Sequence, residues 1–277
     1  MRIGIIGAGT MGVGIAHAVA TSGWAALVVE PEAGQRDRAR GRLEEVISSG
    51  VSRGKLTQAE ADAALERLSF HAAVADLPQG LDWVIESVPE KLDLKRAVLA
   101  EAEARSPRHL ASNTSAISIT ALAAGLASPE SFVGMHFFNP VWSMKLVEVV
   151  VGERSGGAAV DAAVEAARGM GKEPIVVKDA PGFASSRLGV LLGLEAIRMV
   201  EEGIASPEDI DKAMTLGYGY PMGPLRLGDL VGLDIRLAIA EHLSETYGER
   251  FAPPRLLREM VAQGKLGKKS GEGFYRW

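Results

Sequence analysis

The sequence predicts an α/β domain with a mainly parallel, doubly wound sheet, followed by an all-α domain. Three observations carry that reading. The first 30 residues hold a short apolar strand, a glycine-rich turn, a helix and a second strand ending in an acid. Strand-like runs then recur between helical stretches. Strand signals stop after residue 177, and long amphipathic helices follow.

In chain order, Arg2 to Ile6 is a short apolar run ending in Gly7-Ala8-Gly9-Thr10-Met11-Gly12, after which Ile15, Ala18 and Val19 recur at helical spacing. The helix stops at Gly23, and a second run, Ala25 to Val29, ends at Glu30. Alone, G-x-G-x-x-G is no more than a glycine-rich turn. Between a strand and a helix, with an acid about 20 positions on, it is the fingerprint of a Rossmann-type dinucleotide site. The glycines allow a tight turn and close approach to a pyrophosphate, whose charge the helix N-terminus favours. Glu30 is placed to accept from the adenosine ribose hydroxyls and to repel a 2′-phosphate, which points to NAD rather than NADP.

Residues 32 to 68 are polar and helical, with a break expected around Ser48 to Gly54 and a capping box from Thr57 to Glu60, so a helical hairpin standing off the sheet is expected. Arg36 and Arg40 share one helical face, and Arg38 and Arg42 lie nearly opposite. They cannot all serve one ligand. A solvated helix explains any one of them, and one pair could meet a phosphate-rich substrate. Further strands are expected at Leu68 to His71, Asp82 to Glu86 and Leu110 to Ser112, with a helix at Leu92 to Ala104. Two of these strands end in polar clusters, Glu86-Ser87-Val88-Pro89-Glu90 with Lys95, and Ser112-Asn113-Thr114-Ser115. Ligands of doubly wound sheets sit beyond such carboxyl ends. The N-T-S at 113 is also a glycosylation sequon, a reading set aside because no secretion signal precedes it.

The stretch from Val133 to Glu148 places His136 at the end of an apolar run, breaks at Asn139-Pro140, and returns a carboxylate in a second apolar run. A strand, a turn and another strand would bring Glu148 back to the imidazole. A neutral His beside a buried Glu is a general-base arrangement, since the carboxylate fixes the tautomer and stabilises the imidazolium. The plain alternative is a hydrogen-bonded core histidine. Beyond lie a helix, Ala158 to Arg168, a strand, Pro174 to Val177, and then helices Phe183 to Glu202, one capped by Ser206, Gly228 to Tyr247, and Arg255 to Gln263. The domain boundary is placed at 179/180: residues 1–179 as the NAD-binding domain with its helical hairpin, and 180–277 as a helical substrate and dimerisation domain.

Composition narrows the classes. A chain of 277 residues has room for two real cores. A net charge of −5 leaves no basic footprint for nucleic acid, and no apolar run reaches the roughly 18 residues a membrane span needs. Zero Cys excludes a disulfide framework and thiol chemistry. With a strand starting at Arg2, no signal peptide is expected and the cytoplasm is the expected location. Only two Asn occur, at 113 and 139, both within the segments assigned to the site.

Taken together, G-A-G-T-M-G at 7–12, S-N-T-S at 112–115, H-F-F-N-P at 136–140, K-L-V-E at 145–148, D-A-P-G-F at 179–183, G-Y-P-M-G-P at 219–224 and G-E-G-F-Y at 271–275 resemble the L-3-hydroxyacyl-CoA dehydrogenase family, in order and at its spacing. The resemblance implies reversible oxidation of an L-3-hydroxyacyl-CoA to the 3-oxoacyl-CoA, NAD as cofactor, no metal, and a homodimer paired through the C-terminal helices. It implies His136 as base, Glu148 as the carboxylate orienting it, and Ser115 near the substrate oxygen and nicotinamide. Gly7, Gly9, Thr10, Met11, Gly12, Glu30, Glu90, Lys95, Ser115 and Asn139 fall on the cofactor side. One departure matters: the family usually places Asn before the Arg that follows P-G-F, and here Ser186 stands before Arg187. That puts in question the contact polarising the substrate oxygen, and with it the substrate. Two other readings stay open: a relative acting on a non-CoA 3-hydroxy compound, of gulonate or carnitine type, and a nicotinamide-binding protein without catalysis. A 6-phosphogluconate-type enzyme is disfavoured, because Lys172 in G-M-G-K-E-P precedes a strand and lacks the glycine-flanked context of that catalytic lysine.

Overall fold

The computed structural model describes residues 1–277, which form two units, Met1–Ala180 and Pro181–Trp277. In the first, strands β1 (Arg2–Ile6), β2 (Ala25–Val29), β3 (Leu68–His71), β4 (Trp83–Glu86), β5 (His109–Ser112), β6 (Phe132–Phe137), β7 (Leu146–Val151) and β8 (Glu173–Lys178) build one sheet. Its helices are α1 (Thr10–Thr21), α2 (Ala33–Ser52), α3 (Gln58–Glu66), α4 (Leu92–Glu103), α5 (Ile119–Ala123) and α6 (Gly157–Gly169).

The strand order is β3-β2-β1-β4-β5-β6-β7-β8. All neighbours are parallel except β6 and β7. β1 lies between β2 and β4, so the winding reverses there and a crevice opens beyond the carboxyl ends of β1 and β4. Buried on both faces, the inner strands read as continuous Val/Ile/Ala runs and supply most of the core together with Ile15, Ala16 and Val19 of α1. β8, at the edge, is largely exposed.

The capping box at α3 is present: the Glu60 amide donates to the Thr57 hydroxyl, and the Thr57 amide donates to the Glu60 carboxylate. The hairpin does not stand free as expected. Ala39 and Leu43 of α2 join the sheet-side core, and Ile47, Ala61 and Ala64 pack against Ala20 of α1. Each helix buries a narrow stripe of small or branched residues, which suffices to fasten it.

The second unit contains α7 (Ser185–Glu201), α8 (Pro207–Gly217), α9 (Pro224–Val231), α10 (Leu233–Tyr247) and α11 (Arg255–Ala262) around Leu194, Ile197, Leu225, Leu243, Phe251 and Leu257. Where the pattern suggests one helix from Gly228 to Tyr247, two are found. Gly232, at φ 106°, separates them, and that conformation ends α9 and starts α10 in a new direction. No helix of the protein is long and apolar enough to cross a membrane.

Candidate active site

The crevice beyond β1 and β4 is a cleft of about 980 Å³ lined by Gly7, Gly9, Thr10, Met11, Glu30, Ser115, His136 and Asn139, among others. That is the upper end of the roughly 300–1,000 Å³ usual for small-molecule sites. The three fingerprint glycines have different reasons. A Cβ on Gly7, itself at φ 101°, would meet the Ser87 carbonyl at 2.6 Å, so this glycine lets the ends of β1 and β4 approach. A Cβ on Gly12 would collide with the Gly7 carbonyl. Gly9, at φ −72°, has an ordinary backbone, and a Cβ there would meet nothing within 4 Å. No protein atom requires glycine at 9; the close approach of a ligand would. The same residue opens α1, whose N-terminus no side chain caps. A pyrophosphate against those amides therefore fits the chain as built.

Glu30 follows β2, its carboxylate accepting from the Ala8 and Glu32 amides, both at 3.2 Å. At the other end of the cleft, His136 pairs directly with Glu148 across the antiparallel β6–β7 rung, so both side chains leave the same face of the sheet. His136 Nδ1 lies 2.8 Å from Glu148 Oε2, and the carboxylate is fully buried. A carboxylate only accepts, so Nδ1 carries the proton and Nε2 is the basic nitrogen. The Phe138 ring packs 4.5 Å from the imidazole.

Glu90 orders the Ser115 loop. Its Oε1 accepts from the Thr114 hydroxyl at 2.5 Å and from the amides of Ser115 and Ala116 at 2.9 and 3.0 Å. Burial works to raise this carboxyl, but the Thr114 hydroxyl, the Lys95 ammonium and those amides together hold it below the ordinary carboxylate range. Lys95, grouped by sequence with the cofactor side, is buried and does not line the cleft. It bridges Glu86 at 2.7 Å and Glu90 at 3.3 Å and donates to the Val88 carbonyl at 3.2 Å, so it reaches the cleft through Glu90 and Val88. Ser186 lies in the first turn of α7, in the helical unit.

Polar residues beyond the assigned set also line the cleft, Asn113 and Gln35 among them. Asn113 accepts from the Phe137 amide at 2.8 Å, tying the end of β5 to the residue after His136. Gln35 donates to the Ala8 carbonyl at 2.9 Å. Asn113 stands in the polar cluster that the sequence places at a strand end, whereas nothing in the pattern singles out Gln35. A second groove of about 510 Å³ shares Gly9, Thr10, Gln35 and Asn139 with the cleft and carries Arg38, Arg42 and Trp142. Arg36 is spent on the Glu30 carbonyl, and Arg40 stacks on Phe70.

Comparison with known proteins decides the family. Residues 2–180 match the family model described as 3-hydroxyacyl-CoA dehydrogenase, NAD binding domain, and 182–277 match the 3-hydroxyacyl-CoA dehydrogenase C-terminal domain. The chain belongs to the 3-hydroxyacyl-CoA dehydrogenase family. It is 42% identical over 280 residues, 100% of both chains, to a probable 3-hydroxybutyryl-CoA dehydrogenase of Deinococcus radiodurans. It is also 42% identical over 281 residues to the 3-hydroxybutyryl-CoA dehydrogenase of Mycobacterium tuberculosis, covering 100% of this chain and 98% of that one. The solved (S)-3-hydroxybutyryl-CoA dehydrogenase of Ralstonia eutropha superposes with a TM-score of 0.95 at 39% identity, covering 100% and 98%. As a member of this family the chain is an NAD-dependent oxidoreductase whose first unit is an NAD-binding domain.

Proposed function

We propose that this protein oxidises the 3-hydroxyl of an L-3-hydroxyacyl-CoA to the ketone, reversibly, with His136 as the base. The observation that carries it is the His136–Glu148 pair at 2.8 Å, one end of which faces the cleft that holds the glycine turn and Glu30. NAD, when bound, supplies the hydride acceptor. The hydroxyl proton passes to His136 Nε2, and the imidazolium so formed is stabilised by Glu148 through Nδ1–H. Removal of the proton lets the oxygen lone pair form the carbonyl as the C3 hydrogen leaves with its electrons. Ser115, exposed at the cleft on a loop held by Glu90, is placed to hydrogen-bond the reacting oxygen. Gly7 through Gly12 would shape the pyrophosphate seat, with Glu30 toward the ribose and Asn139 also lining the cleft.

The second groove supports a coenzyme A thioester over a free hydroxy acid. Arg38 and Arg42 line it with Trp142; their guanidinium groups are paired at the exposed surface with Glu32 at 3.0 Å and Glu45 at 2.7 Å, and a phosphate would exchange for those carboxylates. Exposed Leu188, Leu191, Leu227, Leu230 and Ile235 on α7, α9 and α10 support pairing of two copies through the helical unit. Light scattering at micromolar concentration tests that pairing. The substrate reading is tested with acyl-CoA thioesters of several chain lengths beside the free hydroxy acids. Turnover confined to the thioesters is expected; faster turnover of a free acid would overturn it.

A further inference from the structure

Of the two buried lysines in the α/β unit, Lys95 has carboxylate partners and Lys172 has none. Lys172 follows the turn after α6. Its ammonium donates to the carbonyls of Val141 and of Met144, the latter at 3.0 Å. Both belong to the connection between β6 and β7, whose next contact is the Glu173 amide donating to the Lys145 carbonyl at 2.8 Å. On its other side the connection meets α1. A Cβ on Gly14 would lie 2.6 Å from the Val141 side chain, and Trp142 stands edge-on to His17. The connection is thus held between an ammonium and a helix.

Burying an ammonium against carbonyls alone is costly, and burial lowers the Lys172 pKa accordingly. What the contact secures is the connected end of the β6–β7 ladder, where the 138–145 segment joins the two strands. His136↔Glu148 is the second rung from that end, after Phe137↔Val147. Ladders fray from their ends, and a shift of about 1 Å in a reacting group can cost on the order of 10²-fold in rate.

We propose that Lys172 is a positioning residue for the reaction, holding the 138–145 connection so that the His136–Glu148 rung stays closed. This rests on His136 being the base. The test uses two full-length variants: Lys172→Met removes the donors but keeps an apolar stem, and Gly14→Ala pushes the same connection from the α1 side. Each is expected to lower kcat by about 10- to 100-fold. Each is also expected to move the acidic limb of the kcat–pH profile to lower pH, because a loosened carboxylate stabilises the imidazolium less. The downfield proton resonance of His136 Nδ1–H should broaden in both. A role confined to stability would lower Tm and leave kcat, the limb and the resonance at wild-type values, and that result overturns the proposal. Should Lys172→Met fail to fold, Gly14→Ala decides by the same readings. His136→Ala, run beside them, separates the two claims: an active His136→Ala refutes the base itself, whereas an inactive one beside wild-type-like Lys172→Met and Gly14→Ala refutes Lys172 alone.

Discussion

At the scale of single residues, charge and reach decide cofactor and substrate. Under the proposed reading Glu30 faces the adenosine ribose of a bound dinucleotide, and its carboxylate is held by two backbone amides rather than by a neutralising cation. A 2′-phosphate there would face the Glu30 carboxylate, with the nearby Arg36 guanidinium already engaged by the Glu30 and Pro31 carbonyls. We expect kcat/KM to favour NAD over NADP by at least about tenfold, equivalent to roughly 1.4 kcal/mol, and equal use of both would refute the role of Glu30. Ser186 has a shorter reach and a single donor, compared with the Asn amide that the family resemblance leads one to expect at this position. If its hydroxyl supports the reacting oxygen, Ser186→Ala lowers kcat and kcat/KM together by roughly 10-fold or more, and Ser186→Asn keeps or raises activity on acyl-CoA. Unchanged kinetics in the Ala variant would show the contact to be dispensable here.

At the scale of elements, the parts of the fold legible in the sequence were those governed by local periodicity and caps. The βαβ unit, the capped α3, the His136–Glu148 return and the switch to helices all follow from spacing along the chain. The division of 228–247 into α9 and α10 was not legible, because the residues on either side of Gly232 keep helical periodicity and one glycine's positive φ leaves no mark in the pattern. The anchoring of the hairpin on α1 and the burial of Lys95 were missed for a related reason: both depend on partners distant in sequence. Gly232→Ala tests the first point. A Cβ at that φ is strained and would meet Asp234 Oδ1 at 3.0 Å, so a loss of about 1–3 kcal/mol is expected in denaturant unfolding. A neutral substitution would mean that the junction tolerates an ordinary residue.

At the scale of the whole molecule, stability should depend on pH through a histidine outside the catalytic pair. His17 of α1 is pushed down to about 4, first by burial and then by the nearby Lys172 ammonium. Its folded pKa lies below the unfolded value near 6.5, so the unfolded chain binds more protons between those values and stability falls as pH falls through that window. Between about pH 7 and pH 5, above the range where carboxylates titrate, the loss should be roughly 2 kcal/mol. His17→Gln should flatten the dependence of Tm on pH over that interval, and an unchanged slope would contradict the assignment. The central claim concerns the other buried imidazole, and NADH formation from an L-3-hydroxyacyl-CoA by wild type and His136→Ala, with NAD affinity measured on both, tests it most directly. The account predicts kcat lower by roughly 10²- to 10⁴-fold with NAD affinity little changed. Near-wild-type turnover in His136→Ala, with the chemical step shown to limit the rate, would contradict it.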